Sequence, residues 1–192
     1  YSYTISFNDF YFIFFSFLIL FLGIFSDNNL LQSPKLRLIL QSIILFVFLY
    51  LSDIQINDLR NYFLNGILSN YYLGLFFTTF CLLVLINGSN FIDGLNGLLL
   101  GYSLLIILTL FNLDLIYLLN FSKEAFFYFI LVVLFLFVLN MSNRLFLGDN
   151  GAYSLSFLIG FILIKIYNLD QTISPYFIIL LIWYPCFENL FS

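Results

Sequence analysis

The chain has 192 residues and a formal net charge of −4, and 63% of the residues are hydrophobic while only 8% are charged. Its mean hydropathy is +1.08, and soluble domains carry roughly 25% charged residues, so the composition excludes a soluble globular domain. The apolar runs suit helical spans of about 20 residues and lack the every-second-residue alternation of a β-barrel. We therefore predict an all-α fold, a polytopic transmembrane helix bundle.

Seven apolar runs predict about seven membrane-spanning helices, at residues 10–25, 36–52, 71–86, 98–113, 126–140, 152–168 and 176–191. If consecutive runs cross the membrane, the junctions between them alternate between its two faces. One face, called here the motif face, receives residues 26–35, 87–96 and 140–150. The opposite face receives residues 53–70, 114–124 and 170–175. We expect the 53–70 segment to be a solvated loop, with a small hairpin or lid as the alternative.

Residues 1–192 are predicted to form a single membrane domain, because no linker rich in proline or serine interrupts them. The chain begins at Tyr1 rather than at a methionine and closes on an apolar run. We therefore expect it to be the central part of a longer enzyme that has further N-terminal and C-terminal segments.

Two polar clusters interrupt the apolar sequence, at residues 87–97 (Asn-Gly-Ser-Asn-Phe-Ile-Asp-Gly-Leu-Asn-Gly) and 146–151 (Phe-Leu-Gly-Asp-Asn-Gly). Each contains an aspartate, and an aspartate near the bilayer centre costs about 2.5 to 3.5 kcal/mol on insertion scales. Both clusters fall on the motif face, together with Asp27. Helix caps and tight turns are the alternative interpretation of such residues, but two clusters on one face favour a functional site.

The spacing of the first cluster predicts convergent oxygen ligands. If the preceding helix continues far enough, three-residue steps bring Asn87, Asn90 and Asp93 to neighbouring positions. Mg²⁺ prefers carboxylate and amide oxygens, and the cluster offers no histidine or cysteine for Zn²⁺. The second cluster precedes an apolar run, and a helix N-terminus there would favour anionic groups. The two clusters together fit magnesium-assisted phosphoryl transfer.

These motifs give the chain a recognisable resemblance. Residues 87–98 and 146–153, with Gly23 to Asp27 followed by Ser-Pro-Lys-Leu-Arg at 33–37, resemble the polyprenyl-phosphate N-acetylhexosamine-1-phosphate transferases of glycosyltransferase family 4. The ending Tyr184-Pro-Cys-Phe-Glu188 is also similar to that family. The resemblance implies transfer of N-acetylhexosamine-1-phosphate from a UDP-sugar to undecaprenyl phosphate, with release of UMP. The implied setting is the bacterial inner membrane, with a multi-pass chain whose active site faces the cytoplasm.

The resemblance also implies roles for individual residues. Asp149 corresponds to the principal Mg²⁺ ligand, with Asn90 as a second metal ligand and Mn²⁺ as an alternative cation. The implied catalytic residues are Asp27, Asp93 and Asp149. The implied substrate-binding residues are Asn87, Asn90, Asn96, Asn140, Phe146, Lys35 and Arg37. Asn96 and Phe146 match positions that hold the uracil, whereas Lys35 and Arg37 would contact a phosphate or, alternatively, anionic lipid headgroups. The implied partners are the UDP-sugar, undecaprenyl phosphate and membrane lipid, and nucleic acid is not among them. The resemblance does not decide whether the protein forms a homodimer.

Three departures from the family pattern leave alternatives open. Position 26 is serine where the family usually has the first of two adjacent carboxylates, and the chain has no histidine for the family's His-rich motif. Position 96 is asparagine where many members have aspartate, a variant that we associate with O-antigen and capsule-type sugars. The alternatives are a phosphotransferase for the peptidoglycan precursor UDP-MurNAc-pentapeptide and a non-catalytic membrane binding or transport protein.

Overall fold

The computed structural model describes the backbone of residues 7–119 and 122–191, and within these ranges every regular element is helical. The helices are α1 (Phe7–Asp27), α2 (Pro34–Ser52), α3 (Tyr62–Leu68), α4 (Tyr71–Ile92), α5 (Leu98–Asn112), α6 (Lys123–Met141), α7 (Gly148–Leu169) and α8 (Pro175–Phe191). A 3₁₀ helix at Leu115–Leu119 precedes α6. The chain is therefore an all-α bundle, as the composition predicts.

Each of the seven predicted spans lies on a helix. Within the described residues, five helices, α1, α2, α4, α6 and α7, are long and apolar enough to cross a membrane. Helix α5 has only 15 residues, which corresponds to about 22 Å at 1.5 Å per residue and is shorter than a typical hydrocarbon core. Helix α4 continues to Ile92, so Asn87 and Asn90 are helical, and α7 begins inside the second cluster, at Gly148. The chain is a multi-pass membrane protein.

Local capping chemistry sets most of the helix starts. Ser33 accepts a hydrogen bond from the Leu36 amide and is followed by proline at the first position of α2, which suits a proline because that amide needs no partner. Asn70 and Ser122 cap α4 and α6 in the same way. Helix α7 has no side-chain cap from its own N-cap residue, Leu147.

Helix α7 is the centre of the bundle. In its apolar span, 67% of the residues are buried, against 22% in α6. Helix α7 packs against α1, α4, α5, α8 and the 3₁₀ helix, and Phe157 and Phe161 stack on Phe12 of α1. Helix α6 exposes large apolar side chains such as Phe127 and Phe135, as expected of a peripheral helix in contact with lipid.

The 53–70 segment on the opposite face is mostly exposed, and residues 54–61 form no regular structure, which agrees with the expectation of a solvated loop. It contains α3 and is tied to the C-terminal end of α7 and the turn beyond it. Arg60 Nη2 donates to the carbonyl oxygens of residues 171, 172 and 173 at 2.7, 3.1 and 2.9 Å. Tyr167 donates to the Asp58 carbonyl oxygen at 2.6 Å. These bonds make the segment a fixed cap on the bundle.

Candidate active site

Carboxylates near the ends of two other helices lie at the first turn of α7. Asp27, the last residue of α1, accepts the backbone N–H groups of Asp149 at 2.8 Å and Asn150 at 3.2 Å. Asp93, just after α4, lies close enough to the Gly148 backbone N–H for that amide to lower its pKa. The first amides of a helix have no partner within it and favour negative charge. The anionic groups at this N-terminus are thus the protein's own carboxylates, and the ends of α1, α4 and α7 meet there.

Two glycines make this junction possible. A Cβ at Gly23 would lie 2.2 Å from Asn150 Cα, closer than any real contact, so α1 and α7 approach each other through a position that needs glycine. Gly148 has a φ of +66°, and a Cβ there would lie 2.9 Å from Asp27 Oδ2. A residue with a Cβ is strained at such a φ, whereas glycine is not. The family-like glycines therefore set the position of Asp149 relative to Asp27.

Asp149 is held by side chains from three helices. Its Oδ2 accepts from Arg37 Nη1 of α2 at 2.6 Å, from the Ser26 hydroxyl of α1, and from the Tyr153 hydroxyl of α7 at 3.3 Å. Arg37 Nη1 also donates to Ser26 Oγ at 2.5 Å. The Arg37 and Asp149 side chains are 25% and 20% exposed, so solvent screens this ion pair less than a surface pair. The arginine offsets part of the negative charge that the three aspartates bring together.

The surroundings of Asp93 favour the protonated form of its carboxyl group. The pKa of Asp93 is raised to about 6, chiefly by burial and also by the nearby charges of Asp149 and Asp27, while the Gly148 amide acts in the opposite direction. A carboxyl group that titrates near neutrality can hold or release a proton during a reaction.

Two asparagines connect the loops that carry the clusters. Asn140 is only 3% exposed; its Oδ1 accepts from the Gly97 amide and its Nδ2 donates to the Leu145 carbonyl oxygen at 2.9 Å. Asn96 Nδ2 donates to Asn143 Oδ1. In this structure, Asn140 therefore links the loop before α5 to the loop before α7, and a direct contact with nucleotide stays a prediction for it.

The remaining predicted residues surround the junction at different depths. Asn87 lies deeper along α4, where its Nδ2 donates to Gln41 Oε1 of α2 at 2.9 Å. Asn90 is half-buried on the same helix. Phe146 is 71% exposed, and Lys35 and Asn96 are also exposed, so their side chains are accessible to a ligand. The predicted set thus divides into a buried inner part and an open rim.

Sequence reasoning missed Tyr153 and Gln41. Each lies four residues after a charged site residue, Tyr153 after Asp149 on α7 and Gln41 after Arg37 on α2. Residues four apart share a helix face, so this spacing was the available signal. Ser26, noted only as a departure from the family pattern, is a direct partner of Asp149.

The donor set fits Mg²⁺ bound with a phosphate ligand better than a closed protein cage. Among the described residues, no group of three or more Asp, Glu, His or Cys side chains is arranged to hold a metal ion. Asp27 is bonded to two backbone amides of α7, whereas the described partners of the Asp149 carboxylate are side chains. Mg²⁺ usually takes one or two carboxylates, several waters and substrate phosphates, and this arrangement can supply the protein's share.

The bundle and the site define a class, that of multi-pass membrane proteins with an acidic site where several helix ends meet on one face. The sequence model of Glycosyl transferase family 4 matches residues 10–167, from α1 to near the end of α7. The chain belongs to this family, and the membership supports, in general terms, a polyprenyl-phosphate sugar-1-phosphate transferase. We found no significant match among curated proteins or among solved structures.

Proposed function

We propose that the protein transfers N-acetylhexosamine-1-phosphate from a UDP-sugar to undecaprenyl phosphate and releases UMP. An oxygen of the acceptor phosphate attacks the sugar-linked phosphorus, and the bond from that phosphorus to the bridging oxygen breaks, so that UMP leaves with the bridging oxygen. The observation that carries the proposal is the position of Asp149, held at the start of α7 by Asp27 on its amide and by Arg37 on its carboxylate.

The residues of the site suit the separate needs of this reaction. A bound Mg²⁺ would neutralise charge on the diphosphate and the leaving UMP, and Asp149, with Asn90 as second ligand, would hold it. Arg37 offers a guanidinium to phosphate oxygens. Burial raises the pKa of Asp93, which favours this carboxyl group as the one that takes the proton of a monoanionic acceptor phosphate. Asn96 and Phe146 would bind the uracil.

The setting follows from the substrates. UDP-sugars are made in the cytoplasm, so we place the motif face on the cytoplasmic side of the bacterial inner membrane. Asn96 in place of an aspartate favours a first step of O-antigen, capsule or related cell-envelope glycan synthesis over peptidoglycan synthesis. Including UDP-MurNAc-pentapeptide among the donors distinguishes these pathways.

The test uses the full-length protein in detergent with undecaprenyl phosphate, Mg²⁺ and a panel of UDP-sugars, and measures UMP by chromatography. We expect UMP only when both substrates are present and a loss of at least about 100-fold in Asp149→Ala. Asp114→Ala removes an exposed carboxylate of the opposite face that pairs with Lys123 and should keep the wild-type rate. Absence of UMP with every donor, or full activity of Asp149→Ala, would refute the proposal.

Ser26 favours one alternative, a family member that binds substrate without turnover. Its hydroxyl lies between Asp149 and Arg37, where the family usually has a carboxylate. Ser26→Asp would restore that group and distinguishes the two cases. A large gain in the rate of UMP release would mean that the native site is impaired, and an unchanged or lower rate would favour the active enzyme.

A further inference from the structure

The Asp149 carboxylate is paired with a cation of the protein itself, the guanidinium of Arg37. The hydrogen bonds that the described residues make to this side chain all go to Oδ2, from Arg37, Ser26 and Tyr153. A cation approaching Asp149 through Oδ1 would come close to the Arg37 guanidinium, whose Nη1 lies 2.6 Å from Oδ2. Like charges at such separations repel strongly when water screens them incompletely.

The rest of the site offers a free cation few available ligands. Both oxygens of Asp27 are bonded to the first amides of α7, and no cage of three metal ligands is formed among the described residues. A nucleotide diphosphate would change both the repulsion by Arg37 and the shortage of ligands, because it brings negative charge for the arginine and oxygen ligands for the cation. Arg37 can then exchange the carboxylate for a phosphate oxygen, a partner that guanidinium groups bind well.

We propose that Arg37 enforces the order of binding, so that the divalent cation enters this site together with the nucleotide diphosphate and not before it. The inference rests on the proposed function for the identity of the diphosphate. By linkage, each ligand tightens the other by the same factor. Arg37 is the residue through which this coupling acts, since it is bonded to the metal-binding carboxylate in one state and to phosphate in the other.

The test measures Mn²⁺ binding rather than turnover. Full-length protein in detergent is titrated with Mn²⁺, and the loss of the free-ion signal in electron paramagnetic resonance is followed with and without UDP. We expect wild-type protein to bind Mn²⁺ at least about 10-fold more tightly with UDP. Removing the guanidinium removes a like charge beside the cation, so we expect Arg37→Gln to bind Mn²⁺ alone about 10-fold more tightly than wild type, with a weaker effect of UDP.

Two control variants test whether a change in Mn²⁺ affinity comes from the contact between Arg37 and Asp149 rather than from the general charge of the protein or from misfolding. Arg144→Gln removes the same charge at an exposed position on the motif face and should leave Mn²⁺ binding within about twofold of wild type. Asp149→Asn should abolish the Mn²⁺ site in the Arg37→Gln background, which shows that the tighter binding occurs at this carboxylate. Melting curves of each variant establish that it is folded.

The possible results are distinct. If wild-type protein binds Mn²⁺ equally well with and without UDP, or if Arg37→Gln leaves the affinity for Mn²⁺ alone unchanged, the proposed order of binding is wrong even when UMP is released. If Arg144→Gln tightens Mn²⁺ binding as much as Arg37→Gln does, the ion pair is not the cause and the inference also fails. Failure of the proposed function would appear separately, as absence of UMP with every donor.

Discussion

Replacing Gly23 with alanine should push α1 away from α7. The new Cβ would lie 2.2 Å from Asn150 Cα and 2.6 Å from Asn150 N. Ordinary contacts start at 3.4 Å, so the two helices must separate by about 1.2 Å at this point. The obstructing atoms belong to the backbone of α7 and cannot rotate away, so the strain cannot be relieved by a change of rotamer.

The magnitude follows from that displacement. Overpacking of this kind costs about 1 to 3 kcal/mol, and a clash between backbones belongs at the upper end. For a chain of 150 to 250 residues, each kcal/mol lowers the melting temperature by about 2 to 4 °C, so we expect a decrease of about 6 to 12 °C. The same displacement would stretch the 2.8 Å bond from the Asp149 amide to Asp27 to about 4 Å. A misplacement of about 1 Å reduces turnover by about 100-fold.

The assay combines thermal melting in detergent with the measurement of UMP release. Gly66→Ala is the matched control, because a Cβ at Gly66 meets nothing within 4 Å and alanine is preferred in a helix by about 0.5 to 1 kcal/mol. It should melt at or slightly above the wild-type temperature. A Gly23→Ala protein that melts within about 1 °C of wild type and keeps its turnover would show that the α1 and α7 packing is not what fixes the site.

Three further substitutions test the network around α7. Asp27→Ala leaves two amides of the first turn without their partner and should cost about 1 kcal/mol in melting experiments, whereas Asp114→Ala, which breaks an exposed ion pair, should cost less than about 0.5 kcal/mol. The pKa of Asp93 is raised to about 6 from 3.8, so its stabilising effect is complete below pH 3.8 and is lost as the pH rises through about 6. The melting temperature of Asp93→Asn relative to wild type should therefore increase between about pH 4 and about pH 7, and a flat difference would contradict the raised pKa. Asn140→Leu removes both loop contacts and should speed amide hydrogen exchange at Gly97, and unchanged exchange there would rule out this linkage.

The helices and the motif face were predictable because both depend on local sequence. An apolar run of sufficient length predicts a span wherever it occurs, and the alternation of junctions then assigns Asp27, Asp93 and Asp149 to one face. The continuation of α4 through Asn87 and Asn90 required only that no residue break the helix before Ile92. The buried side of α6 could not be predicted from the sequence, because apolar residues surround the whole helix and do not indicate which side faces lipid.

The partners of the site residues depend on tertiary distance and could not be read from the sequence. Asp27 and the amide it accepts are separated by 122 residues, and nothing local to Asp27 indicates that it caps another helix. The contacts of the 53–70 segment are a similar case, because Arg60 is bonded to carbonyl groups 111 to 113 residues away. The composition of this segment predicts a loop but does not indicate these long-range bonds.

Asp27 and Asp149 differ in whether their hydrogen-bond partners belong to the backbone or to side chains. Asp27 accepts bonds from the backbone of α7, so exchanging those bonds for a ligand would uncap the helix. Among the described residues, the partners of the Asp149 carboxylate are the side chains of Arg37, Ser26 and Tyr153, and side chains can move while the helix stays folded. Asp149 can therefore change partners at a smaller structural cost than Asp27, which supports the proposed role of Asp149 as the metal ligand.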